Sequence, residues 1–234
     1  MTEVQEGGIQ KTKYNIFVIN ICKERWKKYK DDPRYARWQG WNGKEELDLK
    51  WINENYHFYW NCNDGLRHNV AGCSESHLSL IKHIRHYKIN NAIIIEDDAM
   101  IDFEALEYLS LDRMCSNEIL FVGGMFHPPV LKNLKTFVPP EYDKNIYSIN
   151  TINPKQFLIT NCHGYYIPKW ELAEQLLVKK GKKRRALDAE TKHLQRARVL
   201  TKFLYPAISI LHMEDAKKGF TWSKYKLKDN LKYY

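Results

Sequence analysis

The run Ala92-Ile93-Ile94-Ile95-Glu96-Asp97-Asp98 decides how this chain is read. Small and β-branched apolar residues followed at once by three carboxylates describe a buried strand whose last residues leave the core. In an open α/β sheet, ligands bind outside the carboxyl ends of the strands. Side chains alternate along a strand, so Glu96 and Asp98 are expected on one face and Asp97 on the other. Three adjacent acids at a buried strand end repel one another and lose hydration. A hard divalent cation, Mn²⁺ or Mg²⁺, relieves both effects. The plainer alternative is a solvated turn whose acids cap a helix over 103–109.

Upstream, SESHLSLIKHIRHYK (74–88) predicts a helix capped by Ser74 or Ser76, with Leu78, Ile81 and Ile84 on one face. His77 shares that face and reads as a core histidine. NIFVINI (15–21) predicts the first strand, and CKERWKKYKDDP after it starts helical and stops at Pro33. RYARWQGWNGKEELDLKWINEN is Trp-rich with Gly turns, and YHFYW (56–60) has strand composition. Trp38, Trp41, Trp51 and Trp60 fit core packing better than sugar stacking.

Downstream, EILFVGG (118–124) predicts a strand broken by its glycines, which either turn the chain or let backbone approach a ligand. Residues 127–154 hold five of the eight prolines and read as a loop region. QFLITNCHGYYIP (156–168) fits a strand pair or a bent strand. KWELAEQLLVKK (169–180) fits an amphipathic helix stopped by Gly181, and LDAETKHLQRARVL (187–200) a second helix. KFLYPAISILH (202–212) is a last strand. The alternation predicts an α/β fold with a largely parallel sheet, organised as a flexible leader over 1–13 and one domain over 14–234.

Composition narrows the function. With 234 residues, 44% hydrophobic and 28% charged, the chain is neither disordered nor membrane-spanning, and no apolar run reaches the roughly 20 residues a bilayer requires. The opening MTEVQEGGIQKTK lacks the apolar region of a secretory signal. Five cysteines without close pairs read as reduced thiols of a cytoplasmic protein. The net charge of +9 favours an anionic partner: nucleic acid, acidic membrane or phosphate-bearing molecule. KKGKKRR (179–185) reads first as a solvated loop, and otherwise as a clamp on a diphosphate or an anionic acceptor. A basic nucleic-acid-binding protein without catalysis is the competing class. No aromatic residue interrupts the basic run, as single-strand binders prefer, so no stable nucleic-acid partner is expected.

Several chemistries place acids at a strand end. A phosphoaspartyl phosphatase needs a nucleophilic Asp where Glu96 stands. A receiver domain would carry the motif near its start, and a metal nuclease would want a Lys close behind the acids, where AMIDFEA has none. Transfer from a nucleotide-activated sugar remains, in which a divalent ion takes up charge on the leaving diphosphate.

At this point a likeness is visible. GCSESHLSLIKHIRHYKINNAIIIEDDAMI (72–101) resembles the glycosyltransferase family 25 pattern of a Gly-Cys-x-x-Ser-His-Leu helix leading into a strand ending Glu-Asp-Asp. FVINICKERW (17–26), NCHGYYIPKWELAEQLL (161–177), LDAETKHL (187–194) and LYPAISILH (204–212) are similar to other segments of that family. In size and composition the chain is also similar to small glycosyltransferases of large DNA viruses. Cys22 and Val70 depart from the family pattern, and His212 stands near where the family more often has Gln.

The resemblance implies a GT-A fold, a nucleotide-sugar donor (UDP-sugar favoured), a glycan or glycoprotein acceptor, and inversion at the sugar carbon. It implies Asp98 as metal ligand, Glu96 as a ribose contact, Asp97 as a supporting acid, and His212 as a late ligand to Mn²⁺ or Mg²⁺. Asn20 and Arg25 follow the first strand, near where the nucleotide lies in such folds. A general base is needed for the acceptor hydroxyl, and Asp188 matches a later family Asp; as the start of a helix it is equally a cap.

Overall fold

The computed structural model describes residues 12–58, 63–130, 138, 140–177 and 182–211. Its centre is a seven-stranded sheet. The strands are β1 (Asn15–Asn20), β2 (Tyr35–Gln39), β3 (Ala92–Glu96), β5 (Leu120–His127), β6 (Ser148–Thr151), β7 (Leu158–Ile167) and β8 (Lys202–Tyr205). A separate ribbon pairs β4 (Ala99–Ile101) with β9 (Ser209–Leu211). The helices are α1 (Lys23–Trp26), α2 (Gly43–Glu46), α3 (Leu49–Asn55), α4 (Asp64–His86), α5 (Phe103–Tyr108), α6 (Leu111–Met114) and α7 (Leu187–Arg196), with a 3₁₀ helix over Trp170–Leu176.

The spatial order is β2-β1-β3-β7-β5-β8-β6. β1 runs parallel to β2 and β3, and β5 runs parallel to β8. β7 is antiparallel to both β3 and β5, and β6 to β8. The expected α/β class is observed, with a sheet that is mixed because β7 runs against both of its neighbours and the edge strand β6 against β8.

β3 needs its apolar run because helices cover both faces. Ala92, Ile93, Ile94 and Ile95 are all fully buried. Ile94 packs with Leu80, Ile81 and Ile84 of α4, while Ile93 and Ile95 join Ile16, Val18, Leu106 and Leu111 on the opposite face. That two-way division is the period of a strand.

The helix expected at 74–88 begins ten residues earlier, capped by Asn63, whose side chain accepts from the Leu66 N–H at 2.9 Å. Ser74 and Ser76 are interior residues, their hydroxyls donating back to the Val70 and Gly72 carbonyls. Gly72 is a crossing point. A Cβ on it would lie 2.7 Å from the Gly43 nitrogen and 2.9 Å from the Trp41 carbonyl oxygen, so α4 and the start of α2 touch backbone to backbone. The Ser76 hydroxyl secures the contact by accepting from the Trp41 N–H at 2.8 Å.

Other elements differ from expectation. Residues 56–58 form no strand; Tyr56 caps α3 and makes one bridge to Arg184. Tyr35–Gln39, within the Trp-rich stretch, is an edge strand. β5 continues through Gly123 and Gly124 to His127, because Gly123 lies opposite Gly164 of β7, where His163 and Ser209 fill the space a side chain would need. The approach these glycines permit is thus by the chain itself. Residues 158–167 form one continuous strand. The helix predicted over 169–180 is the 3₁₀ turn, and residues 178–181 lie outside the described residues. The last predicted strand divides at Pro206, which has no N–H for a ladder, giving β8 and β9.

Gly72→Ala is expected to lower stability by about 1–3 kcal/mol, since backbone atoms cannot yield to the added methyl. A reduced urea midpoint with unchanged m-value checks this.

Candidate active site

β1 and β3 are parallel neighbours, with Ile19 opposite Glu96, so both strands deliver their carboxyl ends to one place. There the chain turns through Asp97 and Asp98 into β4. The turn gives each acid a different environment.

Asp97 points back at β1. Its Oδ2 accepts from Asn20 Nδ2 at 2.7 Å and its Oδ1 from Arg25 Nη1 at 2.7 Å. Asn20 is itself buried and accepts from Arg37 Nε at 3.1 Å. The Tyr29 hydroxyl donates to the Ala99 carbonyl and lies 3.1 Å from that of Asp97. Asn20 and Arg25 are therefore brought to the motif, where both engage Asp97. With both carboxylate oxygens already bonded, Asp97 is an anchor of the turn.

Glu96 points toward α4 and β7. His77 Nε2 lies 3.1 Å from Glu96 Oε1, and His77 Nδ1 lies 3.0 Å from the Tyr165 hydroxyl. Cys73 Sγ is 3.9 Å from the same Glu96 oxygen. Burial pushes the Glu96 carboxyl up, but the His77 hydrogen bond and the attraction of His77, His163 and Arg25 outweigh it and hold the group below the usual carboxylate range. His77 is buried as expected, yet its partner is the first acid of the motif rather than the core alone.

Asp98 is the acid left over. Its Oδ1 is buried without a hydrogen-bond partner among the described residues. Burial foremost, then the charges of Glu96 and Asp97, push its carboxyl up to about 7. A buried carboxylate oxygen with no donor is costly unless a cation or a proton meets it. Among the three acids, Asp98 is the one with a buried carboxylate oxygen that no donor among the described residues meets, and a hard cation would satisfy it. Beside it, the ligand atoms of Cys73, His77 and Glu96 all lie within 4.8 Å of one another.

The basic stretch before α7 is built into this corner. The Arg184 guanidinium donates to Glu75 Oε1, which also accepts from the Tyr56 hydroxyl at 2.6 Å. Arg185 Nη1 donates to Glu190 Oε2 at 2.9 Å. The reading of 179–185 as a solvated loop is corrected at these two positions: both arginines are half-buried with acidic partners, because Glu75 faces the interior and needs a cation. Lys182 and Lys183 are exposed, and residues 179–181 lie outside the described residues.

Asp188 is not the cap of α7. Ala186 holds that position, and Asp188 stands half-buried in the first turn, where the helix dipole favours a negative charge. The Leu187 N–H donates to Ser74 Oγ at 3.1 Å, so α7 begins against the part of α4 that carries Cys73 and His77. His212 lies outside the described residues; Leu211, which precedes it, pairs with Ala99, which follows Asp98.

The sequence reading missed Cys73 and Tyr165. The spacing of Cys73 and His77, four apart on a helix, was the available signal, since it puts both on one face. Nothing in the sequence pairs Tyr165 with His77; only the β3–β7 ladder does.

The sequence model of glycosyltransferase family 25 (LPS biosynthesis protein) matches residues 14–189. The chain belongs to glycosyltransferase family 25. The match spans three quarters of the chain, from β1 to the first turn of α7, and includes α4, the Glu-Asp-Asp turn and Asp188. The family 25 protein is accordingly a glycosyltransferase, with a sugar donor and an acceptor. No curated protein matches it. No helix among the described residues is long and apolar enough to cross a membrane.

In the metal-free family 25 protein, Asp98→Asn is expected to raise stability by on the order of 1–3 kcal/mol at pH 8. The folded-state value of Asp98 is raised, so its ionisation is a burden that grows as pH rises from the unfolded value near 4 toward 7. The gain should thus be full above pH 7 and vanish below pH 4, as thermal melts across that range will report.

Proposed function

We propose that this family 25 enzyme moves one monosaccharide from a nucleoside diphosphate sugar, UDP-sugar favoured, to a hydroxyl of a glycan or glycoprotein, with inversion at the sugar carbon. The observation that carries the reading is the Asp98 Oδ1, buried without a hydrogen-bond partner among the described residues, at the joint carboxyl end of β1 and β3. Ligands of open α/β sheets collect at such ends.

The Asp98 carboxylate suits a hard divalent cation, Mn²⁺ or Mg²⁺, and His212, next in sequence to the residue paired with Ala99, is proposed as a second ligand. Bound there, the ion supplies Lewis-acid stabilisation of the departing diphosphate. The protein's own groups do the rest. Asp97, gripped by Asn20 and Arg25, holds the turn rigid so that Asp98 keeps its direction. Glu96 accepts from the ribose of the donor, and Arg25 adds positive charge where the nucleotide lies. The Asp188 carboxylate takes the proton of the acceptor hydroxyl as its oxygen bonds to the sugar carbon and the bond to the diphosphate breaks. Among the described residues Cys22, Cys73 and Cys115 are free thiols, which supports work in a cytoplasm.

The competing class, a non-catalytic nucleic-acid binder, would use its basic residues outwardly. Arg184 and Arg185 are instead turned onto Glu75 and Glu190, which favours the transferase reading.

UDP or GDP with Mn²⁺ is expected to raise the melting temperature of the wild type, and Asp98→Asn to abolish the Mn²⁺-dependent part while the protein stays folded. Asp188→Asn should leave nucleotide binding intact and slow transfer by about 10²–10⁴-fold. Normal Mn²⁺-dependent binding by Asp98→Asn would remove Asp98 from the site, and undiminished turnover by Asp188→Asn would remove that residue as base.

A further inference from the structure

The corner beside Asp98 contains a second set of ligand atoms with a different chemical character. Cys73 and His77 lie one helical turn apart on α4, and Glu96 closes the group from the end of β3. We propose that Cys73, His77 and Glu96 form a binding site for Zn²⁺, and that zinc bound there competes with the nucleotide donor for Glu96.

Geometry supports the site first. Zinc bonded to sulfur at about 2.3 Å and to nitrogen or oxygen at about 2.0–2.2 Å sets tetrahedral ligand atoms roughly 3.3–3.6 Å apart. His77 Nε2 and Glu96 Oε1 are 3.1 Å apart, and Cys73 Sγ and Glu96 Oε1 are 3.9 Å apart. These values straddle the required spacing, so small side-chain rotations close the shell. The third separation also falls within 4.8 Å.

The rigidity and chemistry agree with it. The backbone contact at Gly72 holds α4 in place one residue before Cys73. The Tyr165 hydroxyl, 3.0 Å from His77 Nδ1, can accept a hydrogen bond from Nδ1–H; zinc takes this tautomer, in which Nε2, no longer donating to Glu96, turns its lone pair to the metal position. Cys73 is exposed, which provides an entry path and a solvent-facing fourth position. On binding, the Cys73 thiol gives its proton to solvent, and the thiolate, the neutral imidazole and the carboxylate each donate one electron pair. The Cys73 thiolate selects a borderline-soft ion over Mg²⁺ or Mn²⁺, whereas the ligands proposed for the neighbouring position, Asp98 and His212, include no sulfur. The two neighbouring sites thus differ in preference. The competition with donor rests on the reading above, in which Glu96 contacts the nucleotide; the binding of zinc does not.

The test uses the metal-stripped full chain. Titrated with Co²⁺ as a spectroscopic stand-in, wild type is expected to develop thiolate-to-cobalt charge-transfer absorption that Zn²⁺ displaces. Cys73→Ser, a near-isosteric change on an exposed helix face, should lose that absorption and weaken Zn²⁺ by at least about 100-fold. Tyr165→Phe should keep the absorption and weaken Zn²⁺ by about 10-fold, as expected of a positioning residue. Absence of the band in wild type, or its persistence in Cys73→Ser, overturns the site. UDP binding is then measured with and without saturating Zn²⁺. The proposal requires it to weaken roughly tenfold or more in wild type and not in Cys73→Ser. If Zn²⁺ binds through Cys73 and UDP affinity does not change, the competition is overturned and the role of Glu96 toward the donor falls, while the zinc site stands.

Discussion

Three successive carboxylates at the end of a buried strand can coexist only if each meets a different environment. The grip on Asp97 by Asn20 and Arg25 is what makes this so. It neutralises the middle acid, ties β3 to β1, and fixes the turn from which Glu96 and Asp98 leave in other directions. Were Asp97 unbonded, like-charge repulsion would open the turn into solvent and the corner would lose its shape. With Asp97 held, the remaining two acids can be specialised. Glu96 is met by His77 of α4, and Asp98 keeps an oxygen that no side chain among the described residues satisfies.

The other side of the corner is governed by α4. One helix packs Leu80, Ile81 and Ile84 against β3, crosses α2 at Gly72, presents Cys73 and His77 to Glu96, and turns Glu75 toward Tyr56 and Arg184. The Gly-Cys-x-x-Ser-His run therefore has a reason at nearly every position: a close backbone approach, a thiol, a hydroxyl that receives the Trp41 N–H, and an imidazole on the motif's first acid. Because the same helix serves both packing and site, changes in its seating alter the chemistry as well as the stability. Leu187 docks on Ser74, so α7, with Asp188 in its first turn, is referred to that helix too.

Much of this frame was legible beforehand, for definite reasons. A run of Ile between turn residues has few homes other than a strand covered on both faces, and the acids that end it mark the edge of that cover. The helix after residue 74 followed from apolar spacing alone. Its earlier start was hidden because Ser74 and Ser76 read as caps, whereas their hydroxyls bond back to carbonyls inside the helix. Gly123 was ambiguous for a related reason, since what it accommodates is His163 and Ser209, far along the chain.

What residue order determined on its own was local: which segments bury, which period they follow, where charge must gather, and the family pattern those features compose. Those properties depend on neighbours within a few positions. The tertiary structure decided which acid is satisfied, which is left over, and which basic residues turn inward. Asn20 meets Asp97 across 77 positions, Tyr165 meets His77 across 88, and Arg184 meets Glu75 across 109. Hydrogen-bond partnership is a matter of ångströms in space, and only the pairing of strands and the crossing of helices brings such distant groups within that range.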